Sequence, residues 1–157
     1  MEAPPAWECH CSVECDAPVT FAWQYMTDVS NWSDPPAEFT LDAPFAAGSC
    51  GITRMPGQPP ATWLIRDLDP GKSYTIEGSS FLDCASMRFH WRFDALPDGR
   101  TRLTQRMELR GDNAATYIDE VRAGFEPNLE SGMRRIAGNI ARASSVSGRS
   151  DQRDQDP

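Results

Sequence analysis

No apolar run in this chain approaches the roughly 20 residues that cross a bilayer as a helix, basic residues are in the minority, and the cysteines show no paired spacing. Each absence removes a class of protein. Without the long apolar run there is no helical membrane span, and Met1 to Pro5 lacks the basic start and apolar stretch of a secretory signal. Fifteen basic residues stand against twenty-three acidic ones, a formal charge of −8. That balance works against a phosphate backbone or an anionic membrane as partner, so no nucleic acid is expected. The five cysteines, Cys9, Cys11, Cys15, Cys50 and Cys84, are odd in number and unlike a disulfide scaffold. Reduced thiols and a cytoplasmic location are the expectation. Gly48-Ser49-Cys50-Gly51 lacks the lysine and the helix of a phosphate-binding loop, and no nucleotide or other cofactor is expected. No internal repeat is visible.

What is present suits one domain. The 157 residues are enough to bury roughly two-thirds of the surface of the unfolded chain, and thirteen prolines and eleven glycines punctuate them into short elements. From Trp7 to Cys15 apolar and polar residues alternate, the pattern of a half-buried strand. Asp16 and Pro18 then open a short helix with Val19, Phe21, Ala22, Tyr25 and Met26 at helical spacing, ending near Asp28. Residues 31–36 favour a turn or a second short helix. Glu38 to Phe45, Cys50 to Met55, Thr62 to Leu68 and Ser73 to Ser80 read as strands divided by proline and glycine clusters.

Two further strands are the plainest. Met87, Phe89, Trp91 and Phe93 alternate with Arg88, His90, Arg92 and Asp94. After the turn Pro97-Asp98-Gly99, Leu103, Gln105, Met107 and Leu109 alternate with Thr104, Arg106 and Glu108. Pairing Phe93 with Leu103 sets Asp94 against Arg102 and Arg88 against Glu108 outside, with Trp91 against Gln105 inside. A hairpin turning near Leu82 and Asp83 sets Glu77 beside Arg88 and Tyr74 beside Trp91. Beyond Gly111, the stripe Ile118, Val121, Phe125, Leu129, Met133, Ile136 and Ile140 predicts one long helix, with a kink or break at Pro127. Residues 1–6 form an N-terminal extension and 7–143 the domain. Residues 144–157, serine, glutamine and charge without apolar periodicity, form a tail expected to be disordered.

This order of elements resembles the START-like superfamily, also called SRPBCC or Bet v 1-like, in its polyketide cyclase/dehydrase and lipid-transport branch. Asp16-Ala17-Pro18, Thr27-Asp28-Val29 to Trp32, and Asp98 to Thr104 resemble recurring features of that branch, over about residues 7 to 143. The resemblance implies an α+β helix-grip fold: a curved antiparallel sheet of about seven strands wrapped around a long C-terminal helix, with two short helices after the first strand. It also implies a cavity between sheet and helix for a small hydrophobic ligand such as a polyketide, lipid or aromatic. Capture for transport, sequestration or sensing is one reading. A cyclase, aromatase or dehydratase acting in the same cavity is the alternative, and a protein-binding module with a large exposed apolar patch is a third.

Gln105 is an amide on an otherwise apolar strand face, so it either orients a ligand oxygen or bonds to Tyr74, the Trp91 ring nitrogen or a buried water. Tyr74 and Trp91 suit a ligand wall or an ordinary core. Phe89 and Met107 share their inner face, and Phe125 and Leu129 flank Pro127 on the helix. These seven residues are the expected ligand contacts. Catalytic residues stay unassigned, because strand parity sends both His10 and His90 outward and leaves no inward Asp, Glu, His or Lys. Glu38, Asp42, Asp67 or Asp83 would reverse the preference for binding if one of them reached inside. Cys9-His10-Cys11 with Cys15 invites a metal, but His10 points away from its neighbours on a strand, so no metal is expected. Small buried core residues explain those cysteines better. Pro56 to Pro60 is a rim loop or a plain connector. The oligomeric state is not encoded in any of these features.

Overall fold

Period-two alternation gives nearly every strand one apolar face, and those faces build the inner wall in the computed structural model of the chain. The structure describes residues 2–32, 36–79 and 82–153, with side chains as far as 147. Strand β1 covers Trp7–Cys15, the bounds its alternation predicts. Helix α1 follows at Val19–Met26 and a 3₁₀ turn at Val29–Trp32. These are the two expected short helices. Pro18, not Asp16, occupies the cap position of α1, with no side-chain cap. The helix stops at Met26, before Asp28, and Thr27 closes it, with its amide and hydroxyl both donating to the Trp23 carbonyl at 3.0 and 2.8 Å.

The remaining strands are β2 (Glu38–Thr40), β3 (Cys50–Arg54), β4 (Ala61–Asp69), β5 (Ser73–Gly78), β6 (Ser86–Ala95) and β7 (Thr101–Arg110). A 3₁₀ turn at Ala114–Tyr117 leads into helix α2, Ile118–Arg153. β2 ends five residues short of the expected Phe45: the chain from Leu41 carries Pro44 and has no ladder partner. β5 ends at Gly78; Ser80 and the residues 33–35 of the expected turn lie outside the described residues.

The strands form one seven-stranded antiparallel sheet in the order β1-β7-β6-β5-β4-β3-β2. Both predicted registers occur, with Phe93 opposite Leu103, Trp91 opposite Gln105 and Arg88 opposite Glu108, and Tyr74 opposite Trp91 and Glu77 opposite Arg88. β4 is irregular between Ile65 and Asp67, which bends the sheet locally. Near the far edge, a Cβ on Gly51 would lie 2.1 Å from the Trp63 ring. Glycine there lets the indole lie against β3, where its Nε1–H donates to Thr53 Oγ1 at 3.1 Å.

On α2, Val121, Leu129, Met133, Ala137 and Ile140 are buried and Ile118, Phe125 and Ile136 half-buried, so the predicted stripe is the docking face. Each fully buried large side chain contributes about 1.5–3 kcal/mol before conformational costs. The helix passes through Pro127 without a break. Pro127 and Ala123, whose carbonyl loses its usual donor, are both exposed, where water satisfies that carbonyl. The helix also runs to Arg153, past Ala143, where irregular chain is expected from sequence. Extending an existing helix by a residue costs far less than starting one. Val146 on this extension is 63 % exposed.

Candidate functional site on the inner face of the sheet

Strand pairing sorts the inner face into rows. Leu68, Tyr74, Trp91, Gln105 and Cys11 stand side by side across β4, β5, β6, β7 and β1. The next row holds Ile65, Ile76, Phe89, Met107 and Cys9. The expected contacts Tyr74, Trp91 and Gln105 are thus consecutive in one row, and Phe89 and Met107 consecutive in the other. Phe125 of α2 meets Phe89 with ring centroids 5.8 Å apart, and Leu129 is buried one turn further along. Sheet and helix therefore meet at Phe89 and Phe125, whereas the ring contacts of Tyr74 are to Trp23 of α1, Phe45, Trp91 and Phe93.

Two features distinguish this space from an ordinary core. Phe89 sits mid-sheet between the buried Ile76 and Met107, yet both it and Phe125 keep access to solvent. Polar groups here also lack partners. The Gln105 side chain, 9 % exposed, makes no protein hydrogen bond among the described residues, so it does not bond to Tyr74 or to the Trp91 ring. The Tyr74 hydroxyl is sealed from solvent and equally unpartnered, as is Trp7 Nε1. Burial pushes the Tyr74 phenol pKa far up, so the group stays protonated and a donor.

Aromatic rings surround Tyr74: Trp23 at 5.9 Å, Phe45 at 5.0 Å, Phe93 at 6.0 Å and Trp91 at 6.5 Å between centroids. Phe45 also stands edge-on to Trp32 at 6.0 Å. Trp23, Trp32 and Phe45 were not among the ligand contacts expected from sequence. The signal for Phe45 was a single large ring in the small-residue run Ala43 to Gly48. Two surface depressions lie elsewhere. One of about 570 Å³ is formed by Lys72, Arg92, Asp94 and the α1 start, and one of about 220 Å³ lies around Cys50 and Glu77. The 56–60 hairpin tip is exposed.

Glu38, Asp42, Asp67 and Asp83 are all exposed, so none of these four reaches the inner face, while Glu126 and Glu130 of α2 act on Cys9 and Cys11 of the inner rows. The buried carboxylate among the described residues is Glu108, 3 % exposed, and it belongs to the opposite face, where parity placed it but in the open. There His90 is not solvent-facing as expected. Its Nδ1 lies 2.8 Å from Thr75 Oγ1 and its Nε2 3.2 Å from Glu108 Oε1. Residues 2–6 are tied to the neighbouring arginines of the same face. Glu2 binds Arg66 and Arg88, Arg110 donates to the Ala3 carbonyl, and the Ala6 amide donates to the Leu109 carbonyl. Desolvation lowers the His90 pKa. Burial alone would raise that of Glu108, but the Arg110 hydrogen bond, with His90 and Arg106, outweighs it and holds the carboxyl low.

All five cysteines are free thiols. Only Cys15 is fully buried; Cys9 and Cys11 are half-buried and Cys50 and Cys84 exposed. The buried-core account therefore holds for one of the three thiols on β1. His10 is exposed, as parity predicts, and no group of three metal-ligating side chains assembles among the described residues. No described helix is long and apolar enough to cross a membrane.

The fold recurs widely in solved structures at low identity. A protein of Arthrobacter aurescens superposes with a TM-score of 0.66 at 16 % identity, covering 87 % of each chain. An aromatase/cyclase of a Streptomyces species gives 0.64 at 19 %, covering 87 % of this chain and 94 % of that one. A truncated norcoclaurine synthase of Thalictrum flavum gives 0.68 at 10 %, covering 89 % and 96 %. No curated protein sequence matches significantly. The family described as polyketide cyclase/dehydrase and lipid transport matches residues 7–142, nearly the whole folded region, and the chain belongs to that family.

Proposed function

We propose that the protein captures a small, largely apolar molecule between the sheet and α2, held by Phe89, Trp91, Met107, Phe125 and Leu129, with Gln105 and Tyr74 orienting its oxygen atoms. The observation that carries this reading is the pairing of half-exposed Phe89, in the middle of the sheet, with an unpartnered Gln105 amide one row away. The Gln105 amide is not sealed as the Tyr74 hydroxyl is, so water can serve it, and a ligand oxygen or amide replaces that water as its partner.

Binding is favoured over catalysis. Aldol closure or dehydration needs a group that moves a proton, and the inner rows supply an amide, a phenol held protonated and the Cys9 and Cys11 thiols, whose pKa values desolvation raises. The Streptomyces aromatase/cyclase shares the fold, which keeps cyclisation as the second reading. A protein-docking module needs a large exposed apolar patch; Val146 alone stands out as an exposed large apolar residue among those described. Native mass spectrometry of protein from its own host, followed by analysis of the molecule released on denaturation, tests the proposal. An apolar molecule released unchanged at one per chain supports capture. A mixture of open-chain and cyclised forms supports the enzyme.

A further inference from the structure

Phe45 has no place in the sheet. It sits on the connector between β2 and β3, residues 41–49, where Ala43, Pro44, Ala46 and Ala47 beside it are exposed. The connector is tied down at its end, through Gly48 and Ser49 to Ile65 of β4 and through the Ser49 hydroxyl to the Pro44 carbonyl. Yet the Phe45 ring reaches in and stands edge-on to Tyr74 at 5.0 Å, at an interplanar angle of 78°, and edge-on to Trp32 at 6.0 Å. The hydroxyl of that same Tyr74 is sealed and unpartnered. A phenyl ring cannot accept the hydrogen bond that this donor lacks.

We propose that Phe45 fills an aromatic subsite that an uncharged, flat aromatic ligand takes over, displacing the ring and accepting a hydrogen bond from the Tyr74 hydroxyl through a carbonyl or ether oxygen. This rests on the capture function above and names the chemistry of its ligand. Three observations specify that chemistry. The subsite is shaped by rings, since Trp32 and Tyr74 both present edge-on partners to whatever replaces Phe45. The ligand carries an acceptor, because Tyr74 is a donor whose pKa burial pushes far upward. It is uncharged, because the ring neighbours of Phe45 and Tyr74 are Trp23, Trp32, Trp91 and Phe93, and the charged groups that act on the inner rows, Glu126, Glu130 and Arg134 of α2, do so at Cys9 and Cys11 on β1, three strands from Tyr74. Gln105, two strands from Tyr74 and so about 10 Å away, supplies a second polar contact for a ligand of two or more fused rings.

Full-length protein titrated with prodan, a neutral naphthyl ketone, and with anilinonaphthalene sulfonate, its anionic counterpart in size, tests this. Prodan is expected to bind at least tenfold more tightly than the sulfonate. Phe45→Ala is expected to raise prodan affinity about tenfold by removing the competitor, while Phe93→Ala, another ring beside Tyr74, does not. Tyr74→Phe, which keeps the ring and the fold, is expected to return that gain. Equal or tighter sulfonate binding overturns the charge assignment. Unchanged or weaker prodan binding in Phe45→Ala, with the fold intact by circular dichroism, overturns the plug. If prodan binds neither wild type nor any variant, the capture function itself fails, and the plug with it.

Discussion

The Glu2 carboxylate lies 2.8 Å from the Arg88 guanidinium, across 86 positions of sequence, and 2.9 Å from Arg66. Both arginines also hold Glu77, at 2.6 and 3.1 Å. Two carboxylates thus alternate with two guanidinium groups on the outer face, and the N-terminal segment becomes part of the sheet's cover. Hydrogen bonding from Arg88 takes the Glu2 pKa down to about 2. A lowered carboxylate pKa means the unfolded chain binds the proton more tightly, so the contribution is complete above about 4.5 and lost as pH falls toward about 2. Glu2→Gln should therefore lower the urea midpoint slightly at pH 7, with the difference from wild type vanishing near pH 2. Its exposure keeps the effect small and salt-sensitive.

Glu108 makes the opposite case, a buried acid on a polar face. Glu108→Ala leaves Arg110, Arg106 and His90 without their shared partner and should destabilise by about 2–4 kcal/mol. His90, with its pKa lowered, binds its proton less readily than in the unfolded chain. Its contribution is full above pH 6.5 and declines as pH drops below that value. His90→Gln should remove that part of the stability–pH slope and leave the part near pH 4.5 and below that belongs to Glu108. Denaturant titrations between pH 2 and 8 read both.

Gly51→Ala places a methyl group against the Trp63 ring, at 2.1 Å if nothing moves. Overpacking of this kind costs about 1–3 kcal/mol. The same substitution at Gly124, where a Cβ has nothing within 4 Å, should stabilise slightly, since alanine is the better helix former. Thermal denaturation of the two variants side by side checks the sign of each.

The thiols should react in three classes with an aromatic disulfide reagent. Cys50 and Cys84 are exposed and go first. Cys9 and Cys11 are half-buried, with pKa values raised chiefly by desolvation and also by Glu126 and Glu130 respectively, and go slowly. Cys15, pushed up to about 11 by burial, reacts only on unfolding. A stopped-flow trace with two fast, two slow and one protected thiol is the expected result.

Strand bounds and both central registers were legible because alternation and charge pairing act between near neighbours, as at Asp94–Arg102 and Trp91–Gln105. What stayed hidden depends on segments without periodicity. Parity sent Glu108 and His90 outward, but nothing in Glu2 to Ala6 announced that this stretch binds Arg66, Arg88 and Arg110 on the same face. Likewise Phe45 looked like the end of a strand, whereas its role comes from a connector crossing the sheet to reach Tyr74. The inner rows of the candidate site were readable residue by residue; the unpartnered state of Gln105 and Tyr74 required the packing around them.

The most direct test of capture between sheet and helix is an amide-resolved NMR titration of full-length protein with prodan. The account predicts shifts concentrated at Phe89, Trp91, Gln105 and Met107 on the sheet and at Phe125 and Leu129 on α2, moving together with one affinity. Shifts confined to the Lys72 turn and the end of β6, or no saturable shift at all, would contradict it.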